Sequence, residues 1–285
     1  MDLMTLLGDL EEALARLNDA GLRHLSIAPA NRAFSACEEA PAEHGAFRPE
    51  NGPAPEPPPL SARPDRRPAQ PRPLQPEISS AATAQEALAE ERSGAEPAPS
   101  EVSALEALRF KFRDCMACKL GTTRNRLVFG TGAVRPPILF IGEGPGAEED
   151  QQGLPFVGRA GALLTGLIAA LGLTRDDVYI TNVVKCRPPG NRTPEPDEVA
   201  SCRPILLRQI ELLDPRLIVT LGNVPLKALR PDAAGITKER GRTFSFGRWT
   251  VLPTFHPSYL LRNAREIPTC WLDFRRASRE AFGTD

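Results

Sequence analysis

The 285-residue chain has a formal charge of −1 and no apolar run near the roughly 18 residues that span a bilayer, so no membrane span is expected. Met1-Asp-Leu-Met-Thr5 lacks the basic start of a secretory signal, and six cysteines in such a chain favour thiol or metal chemistry over disulfides. Charge is unevenly placed: residues 1–104 carry 9 Lys and Arg against 17 Asp and Glu, while residues 105–285 carry 26 against 19. A basic second half points to a polyanionic partner.

In chain order, residues 1–24 place Leu3, Leu6, Leu7, Leu10, Leu14 and Leu17 at helical spacing. This predicts an amphipathic helix, which either binds a partner or packs on the main domain. Residues 25–100 are rich in Pro and Ala, with runs such as Pro55-Glu-Pro-Pro-Pro-Leu60. Such a segment buries too little apolar surface to offset its ordering entropy, and a disordered linker is expected, with Cys37 spare inside it. Residues 101–285 form the expected folded domain. Ala104–Phe112 reads as a helix, and Pro137–Gly142 as a buried strand ending in Gly142-Glu-Gly-Pro-Gly146. A helix over Ala160–Leu171, a strand over Val178–Val184 and a helix over Pro196–Leu213 follow. Asp197 and Glu198 in that helix's first turn suit the positive end of its dipole. Leu217–Gly222 is a strand, Val224–Leu229 a short helix, and Arg248–Phe255 a last strand running into His256-Pro-Ser-Tyr-Leu-Leu-Arg262. Cys270 reads as spare. The alternation predicts an α/β fold with four strands, mostly parallel, and helices on both faces. Ligands of such sheets bind at the carboxyl ends of the strands, where the segments after 142, at 182–192 and at 256 all fall.

Each of these segments holds a candidate. The Gly142–Gly146 turn lets backbone N–H groups approach a ligand, but it has neither the dinucleotide nor the phosphate-loop spacing. Glu143 within it is a carboxylate placed to orient or activate water. Phe156, just before a helix, is either a core ring or a stacking platform. Asn182, in an apolar strand, bonds neighbouring backbone or presents its amide to the edge of a base. His256 is one of three histidines, and at a strand end it either caps a loop or donates to a leaving group. Cys115 and Cys118 form a C-x-x-C pair, and Cys186 and Cys202 stand sixteen apart across a Pro-rich loop. Four such thiolates suit an iron–sulfur cluster or zinc, and ligand type does not decide between them.

Taken together, C-x-x-C at 115–118, Gly-Glu-Gly-Pro-Gly at 142–146, Pro-Phe-Val-Gly-Arg-Ala-Gly at 155–161, Thr-Asn-Val-Val-Lys-Cys-Arg-Pro-Pro at 181–189, Asn-Arg-Thr-Pro at 191–194, Cys202 and His-Pro-Ser-Tyr-Leu-Leu-Arg at 256–262 resemble the family 4, iron–sulfur uracil-DNA glycosylases. The resemblance covers roughly residues 104–282. It implies a three-layer α/β/α sandwich with a central four-stranded sheet and a [4Fe–4S] cluster held by Cys115, Cys118, Cys186 and Cys202. It implies hydrolysis of the N-glycosidic bond of uracil in DNA after base flipping. Phe156 would stack on the base, Asn182 would read its edge, and His256 would stabilise the departing anion. Glu143 and Gly144 would hold the pocket and the water, while Glu149 or Asp150 would crowd C5. Arg187, Arg192 and Arg262 would meet phosphates, and Leu260 or Leu261 would wedge into the stack. The partner is uracil-containing DNA, single- or double-stranded, with a repair or replication protein as the further partner of the N-terminal helix. A monomeric, cytoplasmic, nucleoid-associated protein is expected. The competing class is a non-catalytic iron–sulfur module associated with DNA or a polymerase. A third is a zinc-stabilised nucleotide-binding protein.

Overall fold

The computed structural model describes residues 99–283. The expected helix at 1–24 lies outside the described residues, as does the linker apart from Pro99 and Ser100, which open the first helix. That helix, α1 (Pro99–Phe112), carries Glu101 in its first turn and Arg109 and Lys111 in its last, matching the helix dipole. A two-residue strand β1 (Thr131–Gly132) precedes β2 (Ile138–Gly142). The acidic α2 (Ala147–Gln152) ends on left-handed Gly153 and leads to α3 (Arg159–Ala170). Then come β3 (Tyr179–Asn182), α4 (Pro196–Leu213), β4 (Leu217–Leu221), α5 (Asn223–Leu229) and α6 (Ile236–Glu239). The chain closes with β5 (Phe244–Phe246), β6 (Trp249–Thr254), α7 (Pro257–Arg262) and α8 (Ile267–Phe282).

The sheet has six strands in the order β1-β3-β2-β4-β6-β5. Its four central strands are parallel and are the four expected ones. The four-stranded expectation is corrected by β1 and β5, which add antiparallel edges. Both are two or three residues long and only half buried or exposed, so neither carries the apolar run that marks a central strand. By contrast β2, β3 and β4 are buried along their whole lengths.

Alternation along β2 sorts the two cores. Ile138 and Phe140 face the layer of α3, α7 and α8, while Leu139 and Ile141 face the layer of α1 and α4. The expected α/β/α sandwich is therefore present. Phe140 stacks on Phe274 of α8 with ring centroids 5.6 Å apart. No element is expected beyond Arg262 from the sequence, yet Ile267, Cys270, Trp271, Phe274 and Ala277 are buried at helical spacing along α8. Cys270 is thus a core residue, with Thr254 Oγ1 at 3.3 Å and its thiol pushed up to about 12 by burial.

From β2 the chain goes to β3 on one side, and from β4 it goes to β6 on the other. The crevice beyond the carboxyl ends of β2 and β4 is the switch point at which open α/β sheets bind ligands.

Candidate active site and cysteine cavity

A cleft of about 410 Å³ opens at that switch point. It is lined from the ends of β2, β3, β4 and β6 by Gly144, Asn182, Gly222 and His256 among others. Register places Gly142 of β2 directly beside Asn182 of β3. A methyl group on Gly142 would lie 2.5 Å from Phe156 Cζ and against Asn182 Oδ1, so only glycine lets both side chains close over this point.

Asn182 is almost wholly buried, and its Oδ1 has no hydrogen-bond partner. A buried orphan acceptor costs about 1–3 kcal/mol, which makes it a place for a ligand to complete. The residue's backbone is firmly held: buried Lys185 donates from Nζ to the Asn182 carbonyl and to Thr181 Oγ1, both at 2.6 Å. Burial lowers the Lys185 pKa to about 7.

Phe156 has a left-handed backbone, φ 52°, a conformation that costs a non-glycine residue of order 1–3 kcal/mol. Its ring sits 5.7 Å from the His256 ring, tilted by 33°. His256 caps α7, where its Nδ1 accepts the Ser258 backbone N–H at 3.1 Å and lies 2.8 Å from Ser258 Oγ. Burial, then the charge of Arg262, lowers its pKa to about 4, so the ring is neutral at pH 7. With Nδ1 accepting, the proton sits on Nε2. Glu143 also lines the cleft; burial raises its pKa against a hydrogen bond with Thr193.

Of the remaining expected residues, Gly144, Glu149, Arg192 and Arg262 also line the cleft. Glu149 is anchored: Oε1 accepts from the Val157 and Gly158 amides at 2.9 Å each, and Oε2 from Gly146 at 3.1 Å. Its neighbour Asp150 turns away from the cleft, accepting from Asn125 N at 2.9 Å and Asn125 Nδ2 at 2.6 Å, and is removed as a candidate for crowding the ligand. Leu260 is fully buried in the core, so it is removed as a wedge, while Leu261 is partly buried against the same core. Arg187 is outside the lining and donates to Asn191 Oδ1 at 2.7 Å. Arg192 is forked on Glu198 at 2.7 and 2.8 Å and holds that buried carboxyl down at about 2. Residues the sequence did not single out complete the site: Asn191, Asn223, Ser258 and Tyr259 in the cleft, and Arg175 behind Phe156. Asn191 lies in the Asn-Arg-Thr-Pro segment and Ser258 and Tyr259 in the His-Pro-Ser-Tyr segment, whereas Asn223 and Arg175 have no local signal.

Cys115, Cys118, Cys186 and Cys202 come together around a second, small cavity with Lys185 and Ile205. Arg124 ties its walls, donating from Nη1 to Cys186 Sγ at 3.2 Å and to the Cys115 carbonyl at 2.6 Å, and from Nη2 to the Arg113 carbonyl at 3.0 Å. Burial pushes the Cys186 thiol up to about 11 and raises that of Cys202. Among the described residues, no three His, Cys, Asp or Glu side chains form a group that holds a single metal ion. Lys119, next to Cys118, pairs with Glu195 and approaches Glu198 to 3.8 Å, so the cysteine segment and Arg192 share one ion-pair network.

At the switch point of this α/β sandwich one cleft brings together a neutral imidazole, a buried amide acceptor without a partner and an aromatic ring. Residues 129–277 match the Uracil DNA glycosylase superfamily, and the chain belongs to that family. It is 51% identical over 161 residues to the type-4 uracil-DNA glycosylase of Thermotoga maritima, covering 56% of this chain and 84% of that protein. It is 44% identical to the type-4 enzymes of Sulfurisphaera tokodaii, over 61% of this chain and 84% of that one, and of Saccharolobus solfataricus, over 63% and 87%. Among the described residues no helix is long and apolar enough to cross a membrane.

Proposed function

We infer that this chain hydrolyses the N-glycosidic bond of uracil in DNA, releasing the base and leaving an abasic site. The observation that carries the reading is the unpartnered Asn182 Oδ1, buried in a cleft that also presents the Phe156 ring and a neutral His256. Uracil offers an N3–H donor beside its O4 acceptor, which an Asn amide matches with Oδ1 and Nδ2. A base inside a duplex reaches this cleft only by flipping out, at a cost of a few kcal/mol.

Phe156 stacks on the flipped base and Asn182 takes its edge. As the C1′–N1 bond breaks, negative charge grows on the base, and the neutral His256 ring donates a hydrogen bond to it from Nε2. Glu143 takes a proton from the water as its oxygen bonds to C1′, a role that its raised pKa suits. Glu149 fixes the turns that carry Gly146 and Phe156. Arg262, exposed at the rim, meets phosphate and gives a salt-dependent affinity; Arg187 and Arg192 join it only through their remaining N–H groups.

Cys115, Cys118, Cys186 and Cys202 line one cavity, and four thiolates converging there suit the [4Fe–4S] cluster that the family resemblance implies. When bound, the cluster supplies a cross-link between the 115–118 segment and the 186–202 loop.

Residues 101–285 constitute the catalytic domain in this reading, and 1–24 a docking element on a linker. Excision of a single uracil from a labelled oligonucleotide, revealed by alkaline strand cleavage, tests the function. Cleavage by the full chain that falls steeply in Asn182→Ala and in His256→Ala supports it; a folded, iron-loaded chain without cleavage moves the assignment to the non-catalytic module.

A further inference from the structure

Phe156 is the strained point of the cleft. Its φ of 52° is unusual for an aromatic residue, and its carbonyl would collide with any side chain at Gly161. The turn is fastened from both sides. On one side the Glu149 carboxylate collects the Val157 and Gly158 N–H groups. On the other, Arg175 reaches in from the loop between α3 and β3. Its Nη1 donates to the Phe156 carbonyl at 3.0 Å and to Thr165 Oγ1 at 3.0 Å, and its Nη2 donates to the Pro155 carbonyl at 2.7 Å. Arg175 does not line the cleft.

We propose that Arg175 is a positioning residue for base binding: its guanidinium holds the Pro155-Phe156 carbonyls so that the Phe156 ring stays presented to the cleft beside His256. The chemistry needs arginine. Two adjacent carbonyls and a hydroxyl are matched by a planar fork with fixed N–H directions, and a lysine ammonium carries no such fork. Thr165 locks the same Nη1 to α3, so the turn is referenced to a rigid helix and not only to its own loop. The fork acts on the backbone and leaves the Phe156 ring bare for stacking. The proposal rests on Phe156 being the ring that stacks on uracil.

The test is a double-mutant cycle on free-uracil affinity, measured by inhibition of excision and by direct binding, with thermal denaturation as the control for folding. Arg175→Gln is expected to weaken uracil about tenfold, which is about 1.4 kcal/mol. It raises KM more than it lowers kcat. In the Phe156→Ala background the same Arg175→Gln change alters uracil affinity less than about twofold, because the two residues act as one unit. Arg175→Lys, which keeps the charge and the fold, recovers only part of the loss and replaces the Gln variant should that one unfold. Effects that multiply in the double variant, or an Arg175→Lys protein indistinguishable from wild type, overturn the proposal while leaving the glycosylase reading intact. Wild-type protein that excises no uracil and does not bind it overturns that reading, and this inference with it.

Discussion

The imidazole of His256 leans directly on the phenyl ring of Phe156, with centroids 5.7 Å apart and planes 33° apart. This is the separation of a packed aromatic pair. The two rings therefore support one another, and in the proposed reaction they are the stacking surface and the leaving-group donor.

Phe156→Ala is accordingly expected to do more than remove a stacking surface. Loss of stacking alone costs about 1–3 kcal/mol in base affinity. The added loss of support for His256 lowers kcat as well. Single-turnover excision, which separates binding from chemistry, checks this; a change confined to KM would show that His256 is held by Ser258 and α7 without the ring.

His256 should stay neutral, with its proton on Nε2, from pH 8 to below pH 5. Only three histidines are present, so nitrogen-detected NMR resolves the tautomer directly. A titration near the ordinary value of about 6.5 would refute the assignment. The stability consequence has a definite sign. The folded pKa, about 4, lies below the unfolded one, so the unfolded chain binds the extra proton between them. The contribution of His256 is whole above about pH 6.5 and is lost as pH falls through about 4. His256→Ala should flatten that part of the stability profile and reduce kcat by about 10²–10³, the usual effect of deleting one donor to a developing anion.

Gly142→Ala places a methyl group into Phe156 and Asn182 at once. Overpacking of this kind costs about 1–3 kcal/mol in stability. Because both obstructed side chains are in the cleft, uracil binding should be lost while the melting transition stays cooperative. Calorimetry beside a uracil-inhibition assay separates the two effects, and full inhibition by uracil would place the base elsewhere.

Arg124→Gln removes the cation from Cys186 Sγ and unties the Cys115 carbonyl from Arg113. Visible absorbance per polypeptide should fall, and iron should leave several-fold faster to a chelator, since a supporting residue of a metal site is typically worth 10–100-fold in affinity. Cys186→Ala should bleach the protein. Unchanged iron retention in Arg124→Gln would reduce that arginine to a surface strut.

The local sequence determined the four central strands, α3, α4 and the pairing of each motif with a strand end, because buried parallel strands are continuous apolar runs bounded by glycine or proline. It also put Asn182, Phe156, His256 and the four cysteines forward as chemistry, since those residue types are costly or conspicuous where they stand. The edge strands β1 and β5 were not legible: two or three half-buried residues owe their extended form to a neighbour. Which face a residue shows depends on packing from the whole chain, and this moved Leu260 into the core and turned Asp150 away from the cleft. The same reason hid Arg175 and Arg124, whose long side chains act 19 and 62 residues away in sequence. The sequence by itself therefore put forward the candidate groups, and the tertiary structure decided what holds them, because a local pattern records burial and turn chemistry while a hydrogen-bond partner is chosen in space.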